Sequence, residues 1–117
     1  MKEDCTLYRT IDFVGKKWTL LILLEIYKGN GKRYTEVKKS IPKITPKVLS
    51  SRLKELENEG LIIKETDART FPVKSEYSLT RSGKAFVDII KEMKQWGLSW
   101  KVKNKNCEFS DCGSCKL

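Results

Sequence analysis

From residue 6 onward the apolar positions fall at helical spacing. Leu7, Ile11 and Val14 share one face before Gly15, Lys16 and Lys17 break the run, which predicts a short first helix over residues 6 to 14. The run WTLLILLEIY over residues 18 to 27 is apolar nearly all round. A helix tolerates that only when neighbours cover several of its sides, so this run predicts the central helix. Gly29, Asn30 and Gly31 stop it, and Tyr34, Val37 and Ile41 then recur in a third, basic helix that ends before Pro42. Thr45-Pro46 marks the next start: a threonine oxygen accepts from unpaired backbone donors, and proline at the first helical position loses no hydrogen bond. Leu49, Leu53 and Leu56 form the buried stripe of this fourth helix, Lys47, Val48, Ser51, Arg52 and Glu55 face elsewhere, and Gly60 is placed to end it. Residues 61 to 66 and 73 to 79 read as two short strands joined by a tip at residues 67 to 72. In the second strand Val73, Ser75, Tyr77 and Leu79 share one face, with Lys74, Glu76 and Ser78 on the other. Thr80 then caps a long last helix in which Phe86, Ile89, Ile90, Met93, Trp96 and Trp100 recur at helical steps.

Two consecutive helices able to form a helix-turn-helix, followed by a hairpin, predict a mainly α fold with a small β-hairpin wing: a winged helix-turn-helix. Its DNA-binding and dimerisation domain is expected over residues 1 to 100, with a Lys- and Cys-rich tail over residues 101 to 117. The chain has 117 residues, 39% of them hydrophobic and 33% charged, which suits one domain with a modest core. It contains no histidine, so His-based acid–base catalysis and His-ligated metal sites are excluded, and no enzymatic activity is expected. The longest apolar run, residues 20 to 24, is far short of a membrane span, and the first twenty residues lack the order of a signal peptide. The expected location is cytoplasmic, with no membrane partner.

Charge points to the partner. Lys and Arg number 24 against 15 Asp and Glu, a net charge of +9, and residues 28 to 47 alone carry +6. Such a balance favours a polyanion, double-stranded DNA first. A helix-turn-helix holds its second helix across the major groove, where outward side chains meet base edges and flanking cations meet phosphates. Lys47, Ser51 and Arg52 are the base-reading candidates, with Thr45 near a phosphate. Arg33, Lys38, Lys39 and Lys43 supply neutralising charge, Arg69 at the wing tip is placed to enter a minor groove, and Lys74 braces the wing. The plain alternative for any one of these side chains is a solvated charge on a helical surface.

The chain resembles the HxlR-type, MarR-related winged-helix transcriptional regulators over roughly residues 5 to 97. The resemblance rests on Cys5 ahead of the Ile11-Asp12-Phe13-Val14-Gly15-Lys16-Lys17-Trp18-Thr19 segment, on Arg33-Tyr34 with Ile41-Pro42, and on the run from Ile44 and Thr45 to Leu56. Gly60-Leu61-Ile62, and Glu76-Tyr77-Ser78-Leu79-Thr80 with Gly83, complete it. It implies a homodimer joined through its first and last helices that binds a pseudo-palindromic operator as a repressor or activator. Several members sense oxidants through a cysteine at the position of Cys5. Thr6 stands where proline commonly follows that cysteine, Lys74 where arginine usually precedes the second wing strand, and the cysteine-rich tail lies outside the resemblance.

The aromatic stripe of the last helix admits three readings: core, dimer interface, or the lining of an aromatic ligand pocket. A chain this short has too little core to cover both the central helix and this stripe, which favours the dimer. Cys5 precedes the first helix, where the dipole and nearby lysines favour the thiolate that is oxidised or binds metal; the alternative is a small buried residue at a helix start. Cys107, Cys112 and Cys115, spaced C-x4-C-x2-C, are candidate ligands for zinc or an iron-sulfur cluster, with Cys5 as a possible fourth. A thiol/disulfide switch and an inert tail are the other readings. The expected function is therefore a sequence-specific, dimeric, DNA-binding transcriptional regulator that is redox- or metal-responsive. The rival is a small metal- or iron-sulfur-bearing redox or interaction protein on a winged-helix scaffold.

Overall fold

Ile22, Leu23 and Ile26 are wholly buried on a central helix, α2 (Thr19–Gly29), around which the rest of the chain is arranged. The computed structural model describes residues 3–69 and 74–114. Before α2 lies α1 (Thr6–Val14); after it come β1 (Lys32–Arg33), α3 (Tyr34–Ser40), α4 (Pro46–Asn58), β2 (Ile62–Asp67), β3 (Lys74–Leu79), α5 (Arg81–Trp100), α6 (Lys105–Phe109) and a 3-10 turn, Cys112–Ser114. The expected mainly helical fold with a small antiparallel wing is what is observed.

The core is one cluster. Ile22, Leu23 and Ile26 of α2 meet Val37 of α3, Ile41 and Ile44 of the following turn, Leu49, Leu53 and Leu56 of α4, Leu61 and Ile62 at the start of the wing, Tyr77 of β3 and Ile90 of α5. Each such side chain contributes about 1.5–3 kcal/mol by leaving water. The near-uniform apolarity of α2 is thus satisfied from several sides, with Leu21 left outside, half exposed.

Local chemistry sets the ends of α4. Thr45 Oγ1 accepts from the Val48 N–H at 3.2 Å, as its position before Pro46 predicts. At the other end Gly60 adopts φ +82°, the Gly60 N–H reaches the Glu57 carbonyl at 3.1 Å and the Leu61 N–H reaches Leu56 at 3.0 Å. This paired capping turns the chain directly into β2.

The sheet has three strands in the order β1-β3-β2, all antiparallel. The sequence pattern predicts only two. β1 is two residues long, with Lys32 opposite Tyr77 and Arg33 opposite Glu76, too short to show alternation. β2 begins at Ile62, one residue later than predicted, and β3 is described from Lys74, with Ile62 opposite Leu79 and Asp67 opposite Lys74. Val73 and half of the predicted tip, residues 70 to 72, lie outside the described residues.

Thr80 Oγ1 accepts from the Gly83 N–H at 3.2 Å and starts α5. Gly83 lies so close to the Leu61 carbonyl that a Cβ there would collide with it. Beyond that contact α5 has two apolar faces. Gly83, Val87 and Ile90 pack inward, whereas Ile89, Met93, Trp96 and Trp100 form a stripe open to solvent.

The C-terminal segment folds back on α2 and α5. Lys91 Nζ donates to the Tyr27 hydroxyl at 2.9 Å and lies 3.2 Å from Asp111 Oδ1, while Lys94 Nζ donates to the Ser110 carbonyl at 2.7 Å. The Tyr27 hydroxyl and then Asp111 hold the Lys91 ammonium well above its ordinary pKa. The Gly113 N–H, followed by Lys91, holds the Asp111 carboxyl below its usual range. No helix among the described residues is long and apolar enough to cross a membrane.

Candidate nucleic-acid interface

Burying Leu49, Leu53 and Leu56 fixes which way α4 points. With these three against the core, Lys47, Ser50, Ser51 and Lys54 fall on the opposite, exposed face, 3 or 4 residues apart. The helix-turn-helix geometry needs such a face: short polar and cationic side chains with nothing of the protein above them. Beside α4, a groove of about 470 Å³ runs to the wing, lined by Tyr34, Ser50, Lys54, Lys64, Ser75 and Tyr77, among others. Tyr34 closes its upper end, its hydroxyl donating to the Pro46 carbonyl at 3.3 Å.

Among the residues singled out from the sequence, Lys47 and Ser51 share this face and are exposed. Arg52 does not share it. It lies on the flank of α4, and its Nε donates to the Lys17 carbonyl at 3.3 Å, bracing the turn between α1 and α2. Glu55, on the same flank, pairs with Lys16, and Val48 packs on the core. The Thr45 hydroxyl is engaged by the Val48 N–H as the helix cap.

The flanking cations are spread around the motif. Arg33 is exposed at the junction of β1 and α3, where its N–H is held by Glu36 Oε1 at 3.1 Å. Lys39 and Lys43 are exposed, whereas Lys38 is half-buried and donates to the Pro42 carbonyl at 3.3 Å. Arg69 extends from the end of the wing almost fully exposed, its Nε 3.3 Å from Asp67 Oδ1. Lys74 opposes Asp67 across the hairpin. Sequence reasoning missed Lys54 and Lys64. Lys54 was recoverable, because it stands seven residues after Lys47 and three after Ser51 on one helical face. Lys64 comes to the groove only through the pairing of β2 with β3, where it faces Tyr77.

A family model for HxlR-like helix-turn-helix proteins matches residues 13–105. The chain belongs to the HxlR-like helix-turn-helix family. It is 38% identical over 92 residues to the uncharacterized HTH-type transcriptional regulator YvaP of Bacillus subtilis, covering 79% of this chain and 83% of that protein. Among solved structures it is similar to the reduced form of the transcriptional regulator YodB from B. subtilis, with TM-score 0.71 and 31% identity over 86% of this chain and 97% of that one. It is also similar to the redox regulator HypR in its oxidized form, with TM-score 0.71 and 35% identity over 84% of this chain and 99% of that one.

All four cysteines of this HxlR-like chain lie outside the matched residues; Cys107 on α6 and Cys112 in the 3-10 turn are both half-buried with free thiols. They line the same cavity, while Cys115, the third candidate metal ligand, lies outside the described residues. Among the described residues no three Cys, Asp or Glu side chains converge as a metal site, so Cys5 is not brought into a ligand set with Cys107 and Cys112. Cys5 is half-buried immediately before α1, its carbonyl accepting the Arg9 N–H at 3.0 Å.

Proposed function

We propose that this protein is a sequence-specific DNA-binding transcriptional regulator that acts as a homodimer, α4 entering the major groove and the wing lying over the flanking minor groove. One observation carries this reading: α4 presents Lys47, Ser51 and Lys54 on an open face while its leucines lock it to the core. The phosphate contacts come from Arg33, Lys39, Lys43 and Lys64, and Arg69 is the minor-groove candidate. The regulator names of YvaP and YodB support the same reading. Dimerisation is supported by the apolar stripe of α5 and by Leu7 and Ile11 of α1, each of them half or more exposed in the single chain. A homodimer buries the same surface on both copies and sets its two recognition helices about one DNA turn apart, or a small multiple of it.

Selection from a pool of random duplexes, followed by affinity measured against salt, tests the proposal. A selected site preferred at least about a thousandfold over random duplex, with log K falling linearly as log salt rises, is the expected result. A uniform affinity for all duplexes overturns the sequence-specific reading.

The redox-regulator neighbour HypR adds a sensing role for Cys5. A peroxide transfers its terminal oxygen to the Cys5 thiol, leaving a sulfenic acid and water, and shifts the dimer between DNA-competent and incompetent states. Cys5→Ser then abolishes the peroxide dependence of DNA binding; an unchanged dependence in that variant removes the role.

A further inference from the structure

Ser50 is exposed on the open face of α4, within the N-terminal half of the helix, yet its hydroxyl is engaged. It donates to the Tyr34 hydroxyl at 3.5 Å, and the Tyr34 hydroxyl donates to the Pro46 carbonyl at 3.3 Å. Tyr34 is half-buried against the core at the start of α3, and that packing holds its hydroxyl beside α4.

The direction of this relay is fixed from its far end. A carbonyl only accepts, so the single proton of Tyr34 goes to Pro46. The phenol then has only lone pairs to offer, and the single proton of Ser50 goes to Tyr34. What Ser50 keeps for the groove is its own lone pairs. An unengaged serine reads donors and acceptors alike, because its hydroxyl turns to suit either. One whose proton is held accepts only. A phosphate oxygen is itself an acceptor, so this hydroxyl gains nothing on the DNA backbone. Base edges differ: adenine N6 and cytosine N4 are major-groove donors, whereas guanine O6 and thymine O4 are acceptors. Of the other side chains on this face, Lys47 and Lys54 only donate, so the amino bases fall to the hydroxyls.

We infer that Tyr34 sets the base specificity of Ser50: the Ser50–Tyr34–Pro46 relay makes Ser50 an acceptor that selects adenine or cytosine over guanine or thymine on the strand it faces. Ser50 touches the base, and Tyr34 is the positioning residue. The inference rests on the reading of α4 as a major-groove helix and deepens it by one base position in each half-site.

Selection from random duplexes with the parent chain, Ser50→Ala and Tyr34→Phe tests it. The position read by Ser50 is the one whose preference collapses in Ser50→Ala. There the parent is expected to favour an amino base by about fivefold, the scale of one hydrogen bond. Tyr34→Phe keeps the ring and frees the Ser50 proton, and is expected to bring that preference below about twofold while the other positions and the salt slope stay as in the parent. Four results overturn the inference and leave sequence-specific binding standing: no position that depends on Ser50, a keto-base preference there in the parent, an amino-base preference that survives Tyr34→Phe, or a loss in Tyr34→Phe spread evenly over every position. A parent chain that selects no site overturns the reading of α4 itself, and the inference with it.

Discussion

Arg52 Nε donates to the main-chain carbonyl of Lys17 across 3.3 Å, tying the flank of α4 to the turn between α1 and α2. A guanidinium committed there positions the recognition helix instead of reading a base. Arg52→Ala is therefore expected to cost about 1 kcal/mol of stability and to weaken operator binding without changing its salt dependence. Lys47→Ala, on the open face, is expected to lower affinity while leaving the unfolding midpoint within about 0.5 kcal/mol of the parent, and to reduce the salt slope by about 1 if it meets a phosphate. Urea unfolding and anisotropy titrations over a range of salt separate the two roles. A reduced salt slope in Arg52→Ala with unchanged stability would return Arg52 to the DNA.

Met93 and Trp96 are more than half exposed although each is large and apolar. Changing either to Glu leaves the interior untouched and places a charge in the middle of the stripe. The expected result in sedimentation velocity is a monomer in place of a dimer, with the same unfolding cooperativity. Operator affinity is expected to fall about a hundredfold or more, because two tethered half-site contacts become independent ones. A variant that stays dimeric moves the interface elsewhere.

Most of the helical scaffold was legible in the sequence because its signals are local. Thr45-Pro46, Gly60 and Thr80 each perform the capping chemistry that their residue types predict. What was not legible depends on contacts between distant segments. β1 exists only because Lys32 and Arg33 pair with Tyr77 and Glu76, more than forty residues away in the chain. The commitment of Arg52 needs Lys17 to be brought beside it, and the docking of the C-terminal segment needs Lys91 and Tyr27 to converge on its residues. Periodicity places Arg52 off the leucine stripe, among the base-reading candidates, and composition makes residues 101 to 117 a polar tail, and neither sees the partner. The stripe of α5 lies between the two cases. Its spacing was visible, but only the fold shows that Ile90 turns inward while Met93, Trp96 and Trp100 turn out.

Two glycines separate backbone conformation from crowding. Gly60 has φ +82° with open space where a Cβ would stand, whereas Gly83 has no unusual φ and lies against the Leu61 carbonyl. Gly60→Ala is expected to cost about 1–2 kcal/mol, the price of a left-handed alanine. Gly83→Ala forces α5 away from the first residues of the wing and is expected to cost at least about 2 kcal/mol, with altered amide exchange at Leu61 and Thr80. Chemical unfolding of both variants gives the order; a milder effect at Gly83 would mean that the first turn of α5 shifts freely.

Glu25 connects stability to pH. Burial pushes its carboxyl up, but hydrogen bonds and charge from Lys32 and Lys28 outweigh this, and its pKa lies below the ordinary range. A carboxyl depressed in the folded state binds its proton more tightly when unfolded, so its stabilisation is complete above the unfolded pKa, about 4.3, and disappears as pH falls through the folded value. Glu25→Gln is accordingly expected to lower the melting temperature at pH 7 and to converge with the parent in acid, below the folded pKa of Glu25. Thermal unfolding of the two proteins at both pH values checks this. An equal difference at the two pH values would assign the effect to packing of the amide and remove the ion pairs with Lys28 and Lys32 as its source.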